Sequence, residues 1–323
     1  MRTLVITAAL AALTSLPGQA AADTCGWQSS YLELPKGAVT GQVFAADGDG
    51  WFAGEVTDAN RSDTPMRWRH TAMEELGLAF GGPTLASGIS PTGVVVGLYV
   101  DNAPNARAVR YRTDRWELIP STAPASEALD VNARGDIVGR EYDTLGNTDL
   151  VVWSADGTIP TRRLSVPAGE TPSVGGRIDD DGSVVAMTEY IKGADVRFTP
   201  HVWLPDGTRI TLQQREPGGS ATVTDIRGGR IVGGTFGAEG WMATEWDRTG
   251  RIVRTFPPTS GMTAVNTAGL VVGEDATGAS VVWHPDGTVD QLPGPGGKFG
   301  VRAINDSQIG GGDGRPMRWE RTC

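Results

Sequence analysis

The chain repeats one pattern seven times. In each copy, a short apolar run that ends in Gly or Ala is followed nine to seventeen residues later by an aromatic residue in a second apolar run. The small residues are Gly54, Gly97, Gly139, Ala186, Gly233, Gly273 and Gly310, and the aromatics are Trp68, Tyr111, Trp153, Trp203, Trp246, Trp283 and Trp319. Successive aromatics lie 36 to 50 residues apart. Four short strands per unit at this period are typical of propeller blades, so the repeat predicts an all-β, seven-bladed β-propeller.

Each unit also contains turn residues at positions that indicate four strands. The first half of a unit consists of an apolar residue, a turn such as Asn132-Ala133-Arg134-Gly135, and an apolar run such as Ile137-Val138-Gly139. This order predicts a tight hairpin. The apolar run is continuous, as expected for a strand buried on both faces. The second half has an apolar strand ending in Trp, an Asp-Gly turn and an outer strand, as in Val281-Val282-Trp283 followed by Asp286-Gly287.

The last unit is incomplete, and the N-terminus supplies the missing strand. Complete units begin near Gly41, Leu85, Glu127, Gly175, Thr222 and Thr263. The seventh begins near Val301 and ends at Cys323 without an outer strand, whereas Tyr31-Leu32-Glu33-Leu34-Pro35 reads like the outer strand Trp116-Glu117-Leu118-Ile119-Pro120. We therefore expect the N-terminal strand to complete the last blade, which protects the sheet edges. Cys25 and Cys323 flank this closure, and in an exported protein we expect them to form a disulfide.

The first residues indicate the compartment. Residues 1–22 have an Arg, an apolar stretch and small residues before Asp23, which predicts a signal peptide followed by a single propeller domain over residues 23–323. The apolar stretch is too short to span a bilayer, so we expect a secreted, monomeric protein without membrane insertion. The net charge is −10 and no Lys/Arg cluster interrupts the acidic background, which argues against nucleic acid as a partner.

The repeat resembles that of the extracellular HAF-repeat proteins. The closest copy runs from Ala264-Val265-Asn266-Thr267-Ala268-Gly269 through Val271-Val272-Gly273 to Val281-Val282-Trp283, and Glu75-Leu76-Gly77-Leu78 is similar to that family's unit ending. The His-Ala-Phe tripeptide of the family is replaced by Ala279-Ser280-Val281, so the chain resembles a divergent member. The resemblance covers the whole mature chain and implies a fold, but it implies no reaction.

Nucleophilic catalysis finds little support in the sequence. The three histidines, His70, His201 and His284, lie next to or two residues from the repeat tryptophans, where a structural role is expected. There is no Gly-x-Ser-x-Gly motif, and both cysteines are accounted for by the closure.

One polar set is predicted to face the channel. Asp130, Arg177 and Asp225 occupy the same position in the inner strands of units three, four and five, where other units have Gly88, Ala264 or Ala303. Two acids roughly 5 to 9 Å apart could serve a glycosidase or lyase, with Arg177 as charge stabiliser. The set could also bind a polar ligand, or form an acid-Arg-acid network that satisfies itself.

Blade four departs furthest from the repeat. Ala186 replaces the usual glycine, and Glu189 to Thr199 form an insertion before Trp203. Long loops on a rigid scaffold often carry function, and exposed aromatic and Arg residues mark binding surfaces. The candidate ligand-binding residues are Tyr190, Arg197, Phe198 and, in blade five, Trp241. The alternative is that the insertion only lengthens a hairpin and binds no ligand.

Two acidic turns resemble halves of a calcium loop. They are Asp47-Gly48-Asp49-Gly50 and Asp179-Asp180-Asp181-Gly182, and neither is followed by the bidentate Glu of a complete loop. Asp and Gly are also the residues that such turns favour. We therefore expect no cofactor, with Ca²⁺ as the one ion to consider.

Three hypotheses about function follow. The first is a noncatalytic secreted scaffold that binds a glycan or an extracellular protein through its loops and channel mouth. The second is a propeller-type glycan hydrolase or lyase that uses Asp130 and Asp225. The third is an architectural subunit of an extracellular assembly. The sequence favours a protein that is not an enzyme.

Overall fold

The computed structural model describes residues 25–48, 50–101, 105–157, 160–173, 175–193, 195–256, 259–294 and 299–322. The predicted signal peptide (residues 1–22), Asp49 and Cys323 lie outside these described residues. Strands form seven antiparallel sheets, which are the seven blades of a β-propeller. The predicted fold class is confirmed. Within the described ranges, no helix has the length and apolar character needed to cross a bilayer.

The blades follow the chain in order, and each sheet is built outward from the central axis. Blade one contains β2 (Ala38–Asp47), β3 (Trp51–Asp58), β4 (Asp63–Arg69) and β5 (Ala72–Glu75); blade two contains β6 (Thr84–Ile89), β7 (Val95–Asp101), β8 (Asn105–Arg112) and β9 (Arg115–Leu118); blade three contains β10 (Ala125–Val131), β11 (Ile137–Tyr142), β12 (Thr148–Trp153) and β13 (Arg162–Arg163). Blade four contains β14 (Thr171–Pro172), β15 (Arg177–Ile178), β16 (Val184–Lys192), β17 (Asp195–Trp203) and β18 (Arg209–Thr211). Blade five contains β19 (Ala221–Arg227), β20 (Arg230–Gly237), β21 (Gly240–Trp246) and β22 (Ile252–Thr255); blade six contains β23 (Thr259–Val265), β24 (Val271–Asp275), β25 (Ser280–Trp283) and β26 (Val289–Gln291). Blade seven contains β27 (Gly300–Ile304), β28 (Gln308–Gly312), β29 (Pro316–Thr322) and the N-terminal β1 (Gly26–Tyr31). A 3₁₀ turn (Ala79–Gly81) precedes β6.

The meander gives the propeller two different ends. In each blade the turns from the first to the second strand and from the third to the fourth lie at one end, which we call the turn end. The hairpins between the second and third strands and the connections to the next blade lie at the other, which we call the loop end. Inner strands therefore begin at the loop end and finish at the turn end.

The N-terminal strand closes the ring as predicted, but its register differs from the sequence expectation. β1 pairs antiparallel with β29, with Gly26 opposite Thr322 and Tyr31 opposite Met317. The buried residue that corresponds to Ile119 is Leu32, two residues earlier than the alignment with Leu34 implied. Alternating apolar residues make a two-residue slip invisible in sequence, because the side-chain period of a strand is two. Cys25 directly precedes β1, and its predicted disulfide partner lies outside the described residues.

The repeat tryptophans connect neighbouring blades. In every blade, the N–H of one buried apolar residue after the outer strand donates to the third strand over 2.9 to 3.1 Å; these residues are Leu32, Leu76, Ile119, Leu164, Leu212, Phe256 and Leu292. The carbonyl that follows accepts the indole N–H of the next blade, as Pro120 does from Trp153 at 3.0 Å. Trp68, Trp203, Trp246 and Trp319 make the same bond at 2.7 to 2.9 Å. Seven separate apolar clusters result, one at each blade interface.

A β-bulge explains the small residue of the repeat. In six blades the pairing of the first and second strands shifts by one residue at the same place, as between Ala86 and Gly88. The bulge pushes a carbonyl against the second strand, so a Cβ on Gly97 would lie 1.8 Å from the Leu85 oxygen. In blade seven the residue in this position is Gly311, with a Cβ 2.1 Å from the Gly300 oxygen. The assignment of Gly310 was therefore wrong by one residue.

Blade four lacks this bulge, and that is why it tolerates alanine. Its inner edge is split into β14 and β15, which pair separately with β16. Ala186, opposite His201, consequently meets no displaced carbonyl. Among the described blades, the one with alanine in place of the repeat glycine is therefore also the one without the bulge.

Candidate functional site

A cavity of about 610 Å³ lies on the propeller axis and is called the vestibule here. Its walls come from inner-strand residues at and just before the bulges, on the loop-end side of the residues that line the well described below, so it opens at the loop end. The bulged residues face it, namely Phe44, Ser87, Leu129, Thr224, Thr263 and Arg302. The Thr224 and Thr263 hydroxyls donate to the carbonyls of Val232 and Val272. The bulge therefore decides which side chains line the cavity.

Below the vestibule, a well of about 30 Å³ holds the predicted channel residues. Asp130, Arg177 and Asp225 all line it, so the structure brings the three together. Volume of this size is enough for about two waters. The well is also lined by Arg227, which sequence analysis missed. Arg227 lies two residues after Asp225, in the last position of the inner strand. Because side chains alternate along a strand, this spacing places Arg227 on the same side as Asp225 and could have predicted its position in the channel.

The two acids bind backbone amides of the next blade. Asp130 Oδ2 accepts a hydrogen bond from the Ile178 N–H at 3.1 Å. Asp225 accepts from Val265 with Oδ2 and from Ile226 with Oδ1, both at 2.9 Å. An innermost strand has an open edge toward the channel, and these carboxylates satisfy part of it. The acids thus join blade three to four and blade five to six.

An ion pair across the axis narrows the channel toward the turn end. Arg227 of blade five donates to Asp47 Oδ2 of blade one at 3.2 Å and to the Ile178 carbonyl at 3.4 Å. Burial raises the pKa of Asp47 to about 7, against the opposing charge of Arg227. Burial likewise raises the pKa of Asp225 to about 6, although Arg227 and Arg177 oppose it. The vestibule is consequently a pocket with a floor of salt-linked residues.

In the two acidic turns, the described carboxylates Asp47, Asp179 and Asp181 contact protein groups. Asp179 accepts from the Gly228 and Gly229 N–H groups and from Arg248, which lies 3.1 Å from its Oδ2. Asp181 Oδ2 contacts Arg248 at 2.9 Å. No group of three or more His, Cys, Asp or Glu side chains placed to hold a metal is found among the described residues. The carboxylates of Asp47 and Asp179 link blades, and we derive no chemistry through a metal.

The insertion of blade four is an extended hairpin. β16 and β17 pair from Val184 opposite Trp203 to Lys192 opposite Asp195. Tyr190 and Arg197 face each other across it and line a second cavity of about 920 Å³ between blades four and five. Two of the four predicted binding residues therefore share a cavity.

The other two predicted residues of this group do not line that cavity. Phe198 lies on the same strand as Arg197, and its N–H donates to the Ser220 hydroxyl at 3.4 Å. Trp241 packs against the apolar cluster between blades five and six, where Val232 and Phe256 lie. Its ring also covers Gly234. Trp241 is thus partly buried against this cluster and does not line the cavity that Tyr190 and Arg197 share.

Two of the histidines have structural surroundings. His201 is buried, and its ring nitrogens contact the hydroxyls of Thr188 at 2.9 Å and Thr211 at 3.1 Å. Burial, together with Arg209, lowers the pKa of His201 to about 4. His284 Nε2 lies 2.8 Å from Asp290 in a turn at the turn end. Neither lines the vestibule or the well.

The loop end carries most of the exposed apolar side chains. Of the thirteen large apolar residues that are exposed in the described part of the chain, nine lie there, and the other four lie on outer strands. Six of the nine lie on the β5–β6 connection and on the hairpins of blades three to five, and we call them the loop-end apolar set: Leu78, Phe80, Leu145, Ile191, Val196 and Phe236. Leu145 is 84% exposed. Exposed apolar residues mark an interaction surface where they form a contiguous patch, so this set is a candidate for one.

Neither protein-family models nor curated proteins match this chain. Similar solved structures include the β-propeller domain of the Trilobed protease from Pyrococcus furiosus, at 12% identity and a TM-score of 0.61, covering 88% of this chain and 95% of that one. A catalytically inactive virginiamycin B lyase from Staphylococcus aureus, solved with quinupristin, has 15% identity and a TM-score of 0.58, covering 91% and 99%. The acylaminoacyl peptidase of Pyrococcus horikoshii has 13% identity and a TM-score of 0.60, covering 88% of this chain and 52% of its own. At such low identity these likenesses show the fold, and the fold alone.

Proposed function

We propose that this protein is a secreted, noncatalytic propeller that binds a glycan or an extracellular protein at its loop end. The observation that carries the proposal is the coincidence of two features on that end. The vestibule opens there, and the loop-end apolar set lies on connections and hairpins at the same end. A rigid ring of blades presents both, so we expect binding with little change in shape.

The hydrogen bonds of the channel acids support a noncatalytic role. An acid–base pair needs carboxylates that can reach a substrate, with geometry as the first test. Both oxygens of Asp225 accept backbone N–H groups, and Asp130 uses one oxygen in the same way. The well above them has room for about two waters and not for a sugar ring. The alternative, a glycan hydrolase or lyase, would require these side chains to leave their partners.

Secretion, the disulfide and the resemblance to HAF-repeat proteins belong to the same proposal. The position of Cys25 before β1, which pairs with the last strand of the chain, supports a covalent closure of the ring. A disulfide there would fit an oxidising compartment. We further propose a monomer, since each blade already has two neighbouring blades in the ring.

The test is a screen of the protein without residues 1–22 against a glycan array, polysaccharides and extracellular proteins, read by retention and by product release. Retention without products is the expected result. Leu145→Glu and Phe236→Glu should weaken retention at least about tenfold, because a charge replaces an apolar contact at a binding surface. Val253→Glu is the control, since Val253 is exposed on the outer strand β22. Product release that disappears in Asp130→Asn and Asp225→Asn would establish the enzyme instead.

A further inference from the structure

The vestibule contains two arginines, Arg177 and Arg302, that form no salt bridge with a carboxylate in the described part of the chain. Arg302 is the bulged residue of blade seven and is exposed, and it makes no ion pair or hydrogen bond to any other described residue. Arg177 makes one hydrogen bond, from Nη1 to the Gly176 carbonyl at 3.2 Å. Both line the vestibule and the well below it. Two cationic side chains with spare donors therefore point into one cavity.

The acids of the well are already engaged elsewhere. Asp47 faces Arg227, while Asp130 and Asp225 accept backbone N–H groups. Turning toward Arg302 would break the ion pair of Asp47 or leave the amides bound by Asp130 and Asp225 without their acceptors, and either change would cost free energy. An incoming anion would meet donors rather than compete with existing ion pairs.

The remaining walls of the vestibule are mostly apolar, and their uncharged polar side chains are Gln42, Ser87, Thr224 and Thr263. Phe44, Leu129, Val185, Met187 and Met262 line it, and Phe44 is its single aromatic among the described residues. Sugar rings are usually held by several polar groups, whereas aliphatic and Met side chains suit apolar groups of varied shape. Outside the cavity, the loop-end apolar set adds further exposed apolar side chains at the same end of the propeller. The chemistry favours an apolar peptide over an acidic glycan.

We propose that the vestibule binds a peptide chain end, with Arg302 and Arg177 holding its C-terminal carboxylate and the apolar walls holding its last side chains. This inference rests on the proposed binding function and names its ligand class. Arginine suits the task because its planar fork matches a carboxylate with two parallel hydrogen bonds. A cavity of about 610 Å³ lies in the usual range for small ligands. Because the protein carries a net charge of −10, the rest of the peptide is expected to be neutral or basic.

The experiment is calorimetric titration with acetyl-Phe-Leu-Leu as the free acid and as the C-terminal amide. We expect the acid to bind about 10- to 100-fold more tightly than the amide, as for a charge-assisted hydrogen-bond pair. Arg302→Gln should reduce that preference to about twofold, and Arg302→Lys should retain part of it because the charge remains without the fork. Arg251→Gln, an exposed change in the β21–β22 turn at the turn end, should leave it unchanged.

Each alternative result is informative. Equal binding of acid and amide would overturn the carboxylate site while leaving a binding scaffold intact. Binding of an oligouronate that depends on Arg302, without peptide binding, would replace the peptide with an acidic glycan. Retention of a glycan or protein in the wider screen, unaffected by Arg302→Gln and Arg177→Gln, would move the ligand away from the vestibule. No binding in either experiment would overturn both this inference and the proposed function.

Discussion

Replacing Gly97 by alanine should test the bulge that organises six of the seven blades. Its Cβ would lie 1.8 Å from the carbonyl oxygen of Leu85 and 2.9 Å from the carbon of the same group. An ordinary contact between carbon and oxygen is about 3.3 Å, so backbone would have to move by about 1.5 Å. Overpacking costs typically about 1 to 3 kcal/mol, and the upper end applies because the obstacle is main chain rather than a flexible side chain. After the gain of about 0.5 kcal/mol from a less flexible unfolded chain, we expect a loss of about 2.5 kcal/mol.

The assay is urea unfolding followed by both tryptophan fluorescence and far-UV circular dichroism, because agreement between probes supports two-state behaviour. Gly261→Ala is the matched control, since Gly261 also lies in a strand and a Cβ there meets nothing within 4 Å. It should be neutral or stabilising by about 0.5 kcal/mol. Ala186→Gly should cost only about 0.5 to 1 kcal/mol, as for glycine in any strand. If Gly97→Ala is as stable as the parent, the bulge is not the reason for the repeated glycine.

Three further changes address pH, the blade interface and the closure. The pKa of Asp47 is raised to about 7 in the folded state, so its contribution to stability is greatest below its unfolded pKa and is lost as the pH rises toward 7. The unfolding free energy of Asp47→Asn should therefore rise relative to that of the parent between pH 4 and 7. A difference in unfolding free energy that stays constant over this range would contradict the prediction. Trp153→Phe leaves the Pro120 carbonyl without its indole donor and should cost about 1 to 3 kcal/mol by urea unfolding, whereas an unchanged midpoint would show that this bond is dispensable. Cys25→Ser should lower stability by up to about 5 kcal/mol if Cys25 and Cys323 are joined, and non-reducing peptide mapping that finds both thiols free would refute the disulfide.

Much of the fold follows from local sequence. The spacing of Trp and small residues fixes the number of blades, because each blade must bury one aromatic against its neighbour. The missing outer strand of the last unit predicts that β1 completes it, since an open edge has to be paired. The repeat position shared by Asp130, Arg177 and Asp225 also places them around one well, because equivalent positions of equivalent blades lie at one depth along the axis.

Other features depend on the assembled ring. The pair of Asp47 and Arg227 joins residues 180 positions apart across the axis, a separation at which no sequence pattern operates. The same holds for Trp241, whose exposed or buried state depends on the neighbouring blade rather than on its own strand. The place of Arg302 in the vestibule follows from the bulge, which shifts the alternation of inward and outward side chains by one residue. Sequence by itself determined the repeat, the closure and the depth of each polar layer, because these depend on spacing along the chain. Tertiary structure alone decided which side chains meet in the channel, because those contacts form only once seven blades close around it.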